Sequence, residues 1–305
     1  MATAEKKELA TTKGNEIATA AAVDDLPSAI IDIAPMLSTQ SEVHDIAMAE
    51  DDDEMGLSMF TQAKAPSGKL PKDLQWSIES ELESKHVETV DGFIACYASR
   101  AVLFKSDDSV AGEKPVLVAG SPAGKSMRYG YLTGDPASMD FGELDPKEFE
   151  KCKVKDDEGR DAYLLENLSY AQWDSGRNGV GKRMKESRFL FMLTEHEMFP
   201  IWLTIGSGSL GDVTKFLNGL CRKQGVDYRR LAYSIGLARK TNSRGTEFAK
   251  ATISTIKGDD GKAIMLPKET MLEIARTYGD PINAVLERSL HSGGSSLDVN
   301  DGGLE

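Results

Sequence analysis

The chain has 305 residues, 40% of them hydrophobic, and a formal net charge of −13. That length allows one large domain, or one domain with extensions, and the apolar fraction suffices for a packed core. No run approaches the roughly 18–20 apolar residues that a spanning helix needs, which excludes a helical membrane protein. The three cysteines, Cys96, Cys152 and Cys221, are widely separated and offer neither a disulfide framework nor a CxxC metal site. The first 25 residues lack an apolar signal core, so a protein of the reducing cytoplasm is expected.

Charge is unevenly distributed. Residues 177–250 hold 14 Lys/Arg and 6 Asp/Glu, a net of +8, so the rest of the chain carries −21. Residues 1–65 alone hold 13 acidic and 4 basic residues. This asymmetry predicts a basic working surface with acidic appendages.

In chain order, residues 1–65 are rich in Ala, Asp, Glu, Ser and Thr and include the run Glu50-Asp51-Asp52-Asp53-Glu54. Such a composition cannot bury enough apolar surface to offset chain entropy, so a disordered acidic arm is expected. Within it, Leu26 to Leu37 reads either as a docking segment or as an incidental apolar patch. Pro71 to Lys85 reads as a helix, with Pro71 in its first turn and Leu74, Ile78 and Leu82 at four-residue spacing. Strands follow at Gly92–Ala98, Ala101–Phe104, Lys114–Ala119 and Arg128–Leu132. From about 134 to 187 the pattern dissolves into a polar, turn-rich insertion with a basic end.

Two strand-like runs, Arg188 onward and Phe199 to Ile205, lead to the clearest element, a helix after Gly208. Ser209 suits its N-cap, Leu210, Val213, Phe216, Leu217 and Leu220 form its apolar face, and Gly225 suits the position just past its end. The next strand alternates, with Leu231, Tyr233, Ile235 and Leu237 on one face and small residues on the other. It forms a hairpin with the segment ending at Ile256. Two helices are predicted next, Pro267 to Tyr278 and one capped by Asp280, before a Gly/Ser/Asp-rich tail from His291.

Residues 119–126, AGSPAGKS, match a relaxed phosphate-binding loop with Ala119 in place of the first glycine. Such a loop must open a helix whose N-terminus faces the phosphates. Here Gly130, Gly134 and Pro136 follow closely, which favours a turn between strands. The alternative of a nucleotide hydrolase using Lys125 and Ser126 rests on this motif alone. The four histidines are isolated and no nucleophile elbow stands out, so no catalytic residue, cofactor or metal site is assigned.

Aromatic and basic residues are interleaved in the basic stretch, as single-strand binders require: cations follow the phosphates and aromatic faces stack bases. The candidate nucleic-acid-binding residues are Tyr170, Trp173, Arg177, Lys182, Arg183, Lys185, Arg188, Tyr228, Arg229, Arg230, Tyr233, Arg239, Lys240 and Arg244. Phe189, Phe191, Trp202 and Phe216 are read as core.

The order Gly181-Lys182…Arg188-Phe189-Leu190-Phe191, Phe199-Pro200-Ile201-Trp202-Leu203-Thr204, Ser209-Leu210, Gly225, then Tyr228 to Ile256 resembles a group of bacteriophage single-stranded DNA-binding proteins encoded with replication genes. The match covers residues 165–256. Many members of that group carry several cysteines before the Gly-Lys pair, which look like a zinc site. This chain has only Cys152 there, short of the three or four soft ligands a closed site needs, so the resemblance implies a member without the metal.

The resemblance implies an OB-type fold. The expectation is therefore an α+β, mainly β protein with an OB-like five-stranded barrel over 66–262, a long insertion, C-terminal helices over 263–290 and a disordered tail over 291–305. The expected function is to coat single-stranded DNA in phage replication or recombination, largely without sequence preference. The acidic arms would recruit replication or recombination proteins or compete with DNA. Oligomeric state, a homo-oligomer included, is left open, and the structural alternative is a phage assembly protein.

Overall fold

The computed structural model describes residues 60–284, apart from 67–68, 80–83, 107–113, 123–124, 177–178, 180, 196, 198, 243–244 and 246. Residues 1–59 of the acidic arm, the 26–37 segment, the tail, Arg177 and Arg244 lie outside the described residues. The end of the arm expected to be disordered, 60–65, instead carries a strand over Gln62–Lys64, because Phe60 and Ala63 bury their apolar side chains in the core.

Among the described residues, twelve strands form one mixed, open sheet. They are β1 (Gln62–Lys64), β2 (Trp76–Glu79), β3 (Ser84–Val87), β4 (Thr89–Leu103), β5 (Leu117–Pro122), β6 (Tyr129–Leu132), β7 (Lys153–Lys155), β8 (Asp161–Leu164), β9 (Lys185–Leu193), β10 (Ile201–Ile205), β11 (Ala232–Thr241) and β12 (Glu247–Thr255). Their main path runs β3-β2-β1-β10-β9-β4-β5-β6-β8-β7, with β11 joining β4 and β12 joining β11. The mainly β expectation stands, but the five-stranded OB-like barrel does not. The physical reason is β4. Its 15 residues form a run long enough to serve two partners on one edge. The stretch Thr89–Phe93 pairs with β11, and Ala98–Leu103 pairs with β5. The sheet therefore branches where a barrel would close.

The opposite edge of β4 pairs with β9 from Phe93 to Val102, with a bulge between Ile94 and Cys96. An extra residue in a strand flips the alternation beyond it. Here it turns Ala95 and Cys96 successively toward one face, while Ile94 and Tyr97 face the other. That first face packs Phe93, Phe189, Phe191 and Trp202 beneath the C-terminal helix. This is α3 (Lys268–Ile274), which runs through a wider π-turn at Ala275–Gly279 and on through residues 280–284. The expected break at Gly279 is absent because Gly279 continues the helix over the bulge. A Cβ on it would stand 3.7 Å from Cys96 Cβ, an ordinary contact, so this packing does not itself demand glycine.

The other face of the sheet packs Trp76, Ile94, Leu190, Met192, Leu203 and Tyr233 against α2 (Ser207–Gln224). α2 ends at Gly225 in the left-handed conformation (φ 65°), where glycine carries no Cβ penalty. Its N-cap is Gly206, not Ser209. The Ser209 hydroxyl instead accepts the Ala251 backbone N–H at 2.8 Å, fastening α2 to β12.

A third core joins Leu103, Leu117, Tyr163, Leu165 and Leu168 to Phe149 of α1 (Pro146–Cys152). It is built largely from the stretch whose sequence shows no period. The predicted helix over 71–85 is replaced by β2 and β3. Trp76 and Ile78, two residues apart, are both buried on one face, so the strand period wins over the four-residue spacing of Leu74 and Ile78.

Candidate nucleic-acid interface

The face of β9 that carries Leu190 and Met192 also carries Arg188 and Glu186, because strand residues two apart share a face. Arg188 lies beside β4 and β10, opposite Ser99 and Ile205. Its guanidinium sits over the ring of Tyr97, 4.6 Å from the centroid, and Nη1 donates to Thr214 Oγ1 of α2 at 2.9 Å. The Tyr97 ring meets Tyr228 at 5.3 Å between centroids, and Arg229 stands 5.9 Å from the Tyr228 ring. Arg229 in turn donates Nε and Nη2 to the two carboxylate oxygens of Asp227 at 3.1 and 2.7 Å.

Tyr228 occupies a single 3-10 turn, Tyr228–Arg230, started by the Asp227 side chain accepting the Arg229 backbone N–H. This short turn presents the tyrosine to Tyr97. Burial pushes the Tyr228 hydroxyl well above its ordinary range, despite the opposing Arg229 charge. Burial also pulls Arg188 below the ordinary arginine value, against the favourable fields of Tyr97, Tyr228 and Glu186. Guanidinium remains a cation across any working pH.

At the start of β9, Lys182 bonds Glu186 at 2.6 Å and lies 5.7 Å from the ring of Trp173. Trp173 is 75% exposed. Its turn is held by Ser175, whose hydroxyl donates to the carbonyl oxygens of Tyr170 and Gln172 and accepts from the Arg183 backbone N–H. Contacts thus run from Trp173 through Lys182 to Glu186, and from Arg188 through Tyr97 and Tyr228 to Arg229. The two segments adjoin along β9.

The other expected residues stand elsewhere. Tyr170 packs in the third core, its ring 6.0 Å from Phe149 and its hydroxyl accepting the Asp145 backbone N–H at 2.7 Å. Tyr233 is fully buried and its hydroxyl donates to the Tyr228 carbonyl at 2.6 Å. Arg183 is buried and pairs with Glu143 at 3.2 Å. Arg230 donates to the Leu266 carbonyl. Lys185 falls on the opposite face of β9 from Arg188. Arg239 and Lys240 lie at the exposed end of β11, where Arg239 pairs with Glu247 at 2.6 Å. Sequence reasoning missed Tyr97, because the bulge between Ile94 and Cys96 that sets which face it takes cannot be read from the apolar run Phe93 to Ala98.

A second cation–aromatic patch lies on β6, with Arg128 over Tyr129 and Arg160 near Tyr131. Acidic groups engage both tyrosines and Arg160. Tyr129 and Tyr131 donate to Asp157 and Asp156, and Arg160 pairs with Asp156 and Glu158. Of the phosphate-loop motif, Ala119 to Pro122 belong to β5, and Lys125 to Arg128 lead into antiparallel β6, a strand where such a loop needs a helix.

Among the described residues no group of three or more His, Cys, Asp or Glu side chains is placed to hold a metal, and no helix is long and apolar enough to cross a membrane. Comparison with protein-family models, curated proteins and solved structures found no match to this chain.

Proposed function

We propose that this chain binds single-stranded DNA along the Trp173–Lys182 end of β9 and the Arg188–Tyr97–Tyr228 cluster beside α2, coating it without strong sequence preference during phage replication or recombination in the host cytoplasm. The observation that carries this reading is the row of cations and aromatic rings from Trp173 and Lys182 to Arg188, Tyr97 and Tyr228. A strand of nucleic acid offers alternating charge and ring faces, and base stacking on a protein aromatic is worth about 1–3 kcal/mol. The exposed Trp173 supplies an open ring, and the half-buried Arg188 supplies a cation held in a fixed pose. The overall charge of −13 opposes DNA at long range, so the local basic stretch must dominate on contact. The resemblance to phage single-stranded DNA-binding proteins supports the same reading, although the OB-like barrel it implied is not the architecture found. The acidic N-terminal arm would recruit replication partners.

The test is fluorescence anisotropy with labelled oligo-dT and a matched duplex across a salt series. Tight oligo-dT binding, weaker duplex binding and a steep loss with salt are expected. Absence of binding to either at low salt would overturn the proposal.

A further inference from the structure

The other two cations of this row are already neutralised: Arg229 forks onto Asp227 and Lys182 bonds Glu186. Away from the row, Arg239 pairs with Glu247 and Arg183 with Glu143. Arg188 differs. It makes no carboxylate contact among the described residues, and Glu186, two positions away, is engaged by Lys182. Among the described residues its buried Nε has no hydrogen-bond partner, and the guanidinium's hydrogen bond goes to a neutral hydroxyl, Thr214. A half-buried charge is ordinarily compensated, because removing it from water costs several kcal/mol. Here the Tyr97 ring beneath the guanidinium gives only partial compensation. The same ring and Thr214 fix the guanidinium plane, so little side-chain freedom is left to lose when an anion arrives. Since Arg188 as a whole is only partly buried while its Nε is enclosed, the accessible part is the outer end of the fork.

We propose that Arg188 is the phosphate-reading residue of this face, braced by Tyr97 and Thr214 to accept one phosphodiester oxyanion of the bound strand. The proposal rests on the single-strand reading above and adds to it which cation takes the phosphate and which groups position it. The planar fork of arginine matches phosphate geometry, which an ammonium does not reproduce.

The experiment compares wild type, Arg188→Gln, Arg188→Lys, Thr214→Val and Trp173→Ala in oligo-dT anisotropy across salt, with thermal melts of each protein. Each phosphate that a protein neutralises on a single strand contributes about 0.7 to the steepness of the log–log salt slope. Arg188→Gln is expected to flatten the slope by that amount and weaken binding several-fold. Arg188→Lys and Thr214→Val should weaken binding while keeping the slope, because charge remains and pose is lost. Trp173→Ala should likewise keep it. An unchanged slope in folded Arg188→Gln overturns the proposal and leaves the single-strand reading standing. Should the glutamine variant fail to fold, wild-type binding by Arg188→Lys would overturn it equally. If wild type binds no oligo-dT at low salt, the single-strand reading falls. Tripolyphosphate then decides for Arg188 alone: a raised melting temperature in wild type and not in Arg188→Lys supports an anion site, and no rise in wild type rejects it.

Discussion

Trp76 donates its indole N–H to the backbone carbonyl of Ile235 at 2.9 Å, across 159 residues of sequence. The bond joins β2 to β11, which do not pair as strands and reach each other only because the sheet curls around the core shared with α2. Trp76→Phe keeps a ring in that core but leaves a buried carbonyl without its donor. An unsatisfied buried group costs about 1–3 kcal/mol. The variant should unfold at lower urea concentration with an unchanged denaturant slope, as followed by circular dichroism.

Gly92 is required by close backbone approach. A Cβ there would fall 2.0 Å from the Leu193 carbonyl oxygen, on the strand pair that organises the whole sheet. Neither backbone can yield without breaking register between β4 and β9. Gly92→Ala is expected to cost more than about 4 kcal/mol, in the exceptional class of single substitutions. Loss of a cooperative melt is the expected result; a melt within a few degrees of wild type would contradict the placement.

What the sequence made legible was local. The α2 face, the glycine that ends it and the β11–β12 hairpin all follow from spacing over fewer than about twenty residues. Three features depended on distant partners. The dual pairing of β4 cannot be read from its own residues, which only say that it is long and apolar. The 71–85 segment fits both a helix and a strand period, and its pairing with β1 decides. In the 134–187 stretch the Asp145-Pro146 start of α1 was present: Asp145 caps the helix by accepting the Lys147 N–H. The helix spans only seven residues, too few for a period to show. At the interface, neutralisation is local, since Asp227 and Glu186 stand two and four residues from Arg229 and Lys182, whereas Glu143, forty residues from Arg183, becomes its partner only in the fold.

Asp156 offers a test by pH. Burial would raise its carboxyl pKa, but hydrogen bonds from Arg160, Tyr131 and the Glu158 backbone N–H outweigh burial and hold it well below the ordinary 3.8. The same contact, with burial as the leading cause, pushes the Tyr131 hydroxyl up to about 12. A depressed carboxyl pKa contributes stability that is fully present above the unfolded value and lost as pH falls toward the folded one. Asp156→Asn should therefore be less stable than wild type at neutral pH. The difference should hold constant down to about pH 5 and shrink progressively below 3.8. Urea denaturation of both proteins from pH 7 to pH 3 measures this; a difference that grows on acidification would contradict it.

Arg183 separates fold from function within the basic stretch. Its side chain is buried and pairs with Glu143, which is 67% exposed. Removing the buried member leaves its surroundings without their donor, whereas removing the exposed one leaves a cation that water can partly reach. Arg183→Gln should cost about 1.5–3 kcal/mol, and Glu143→Gln under about 1 kcal/mol. Neither should change the salt slope of oligo-dT binding once measured on folded protein. A flattened slope in Arg183→Gln would move this residue into the interface.

The three tryptophans divide cleanly by exposure: Trp76 at 0%, Trp202 at 6% and Trp173 at 75%. Acrylamide should therefore quench mainly Trp173, and oligo-dT stacked on that ring should change its emission while leaving the two core indoles unaffected. Trp173→Ala leaves every core packing intact, so its melting temperature should match wild type within about 2 °C, since surface changes stay within about 0.5 kcal/mol. If the ring is a base platform, the substitution costs about 1–3 kcal/mol of binding, or about 5- to 150-fold in affinity. Trp173→Phe should recover part of that loss, because a smaller ring still stacks, while abolishing the oligonucleotide-induced change in tryptophan emission. Wild-type affinity in Trp173→Ala would show that the exposed indole takes no part in binding, and the row would then begin at Lys182.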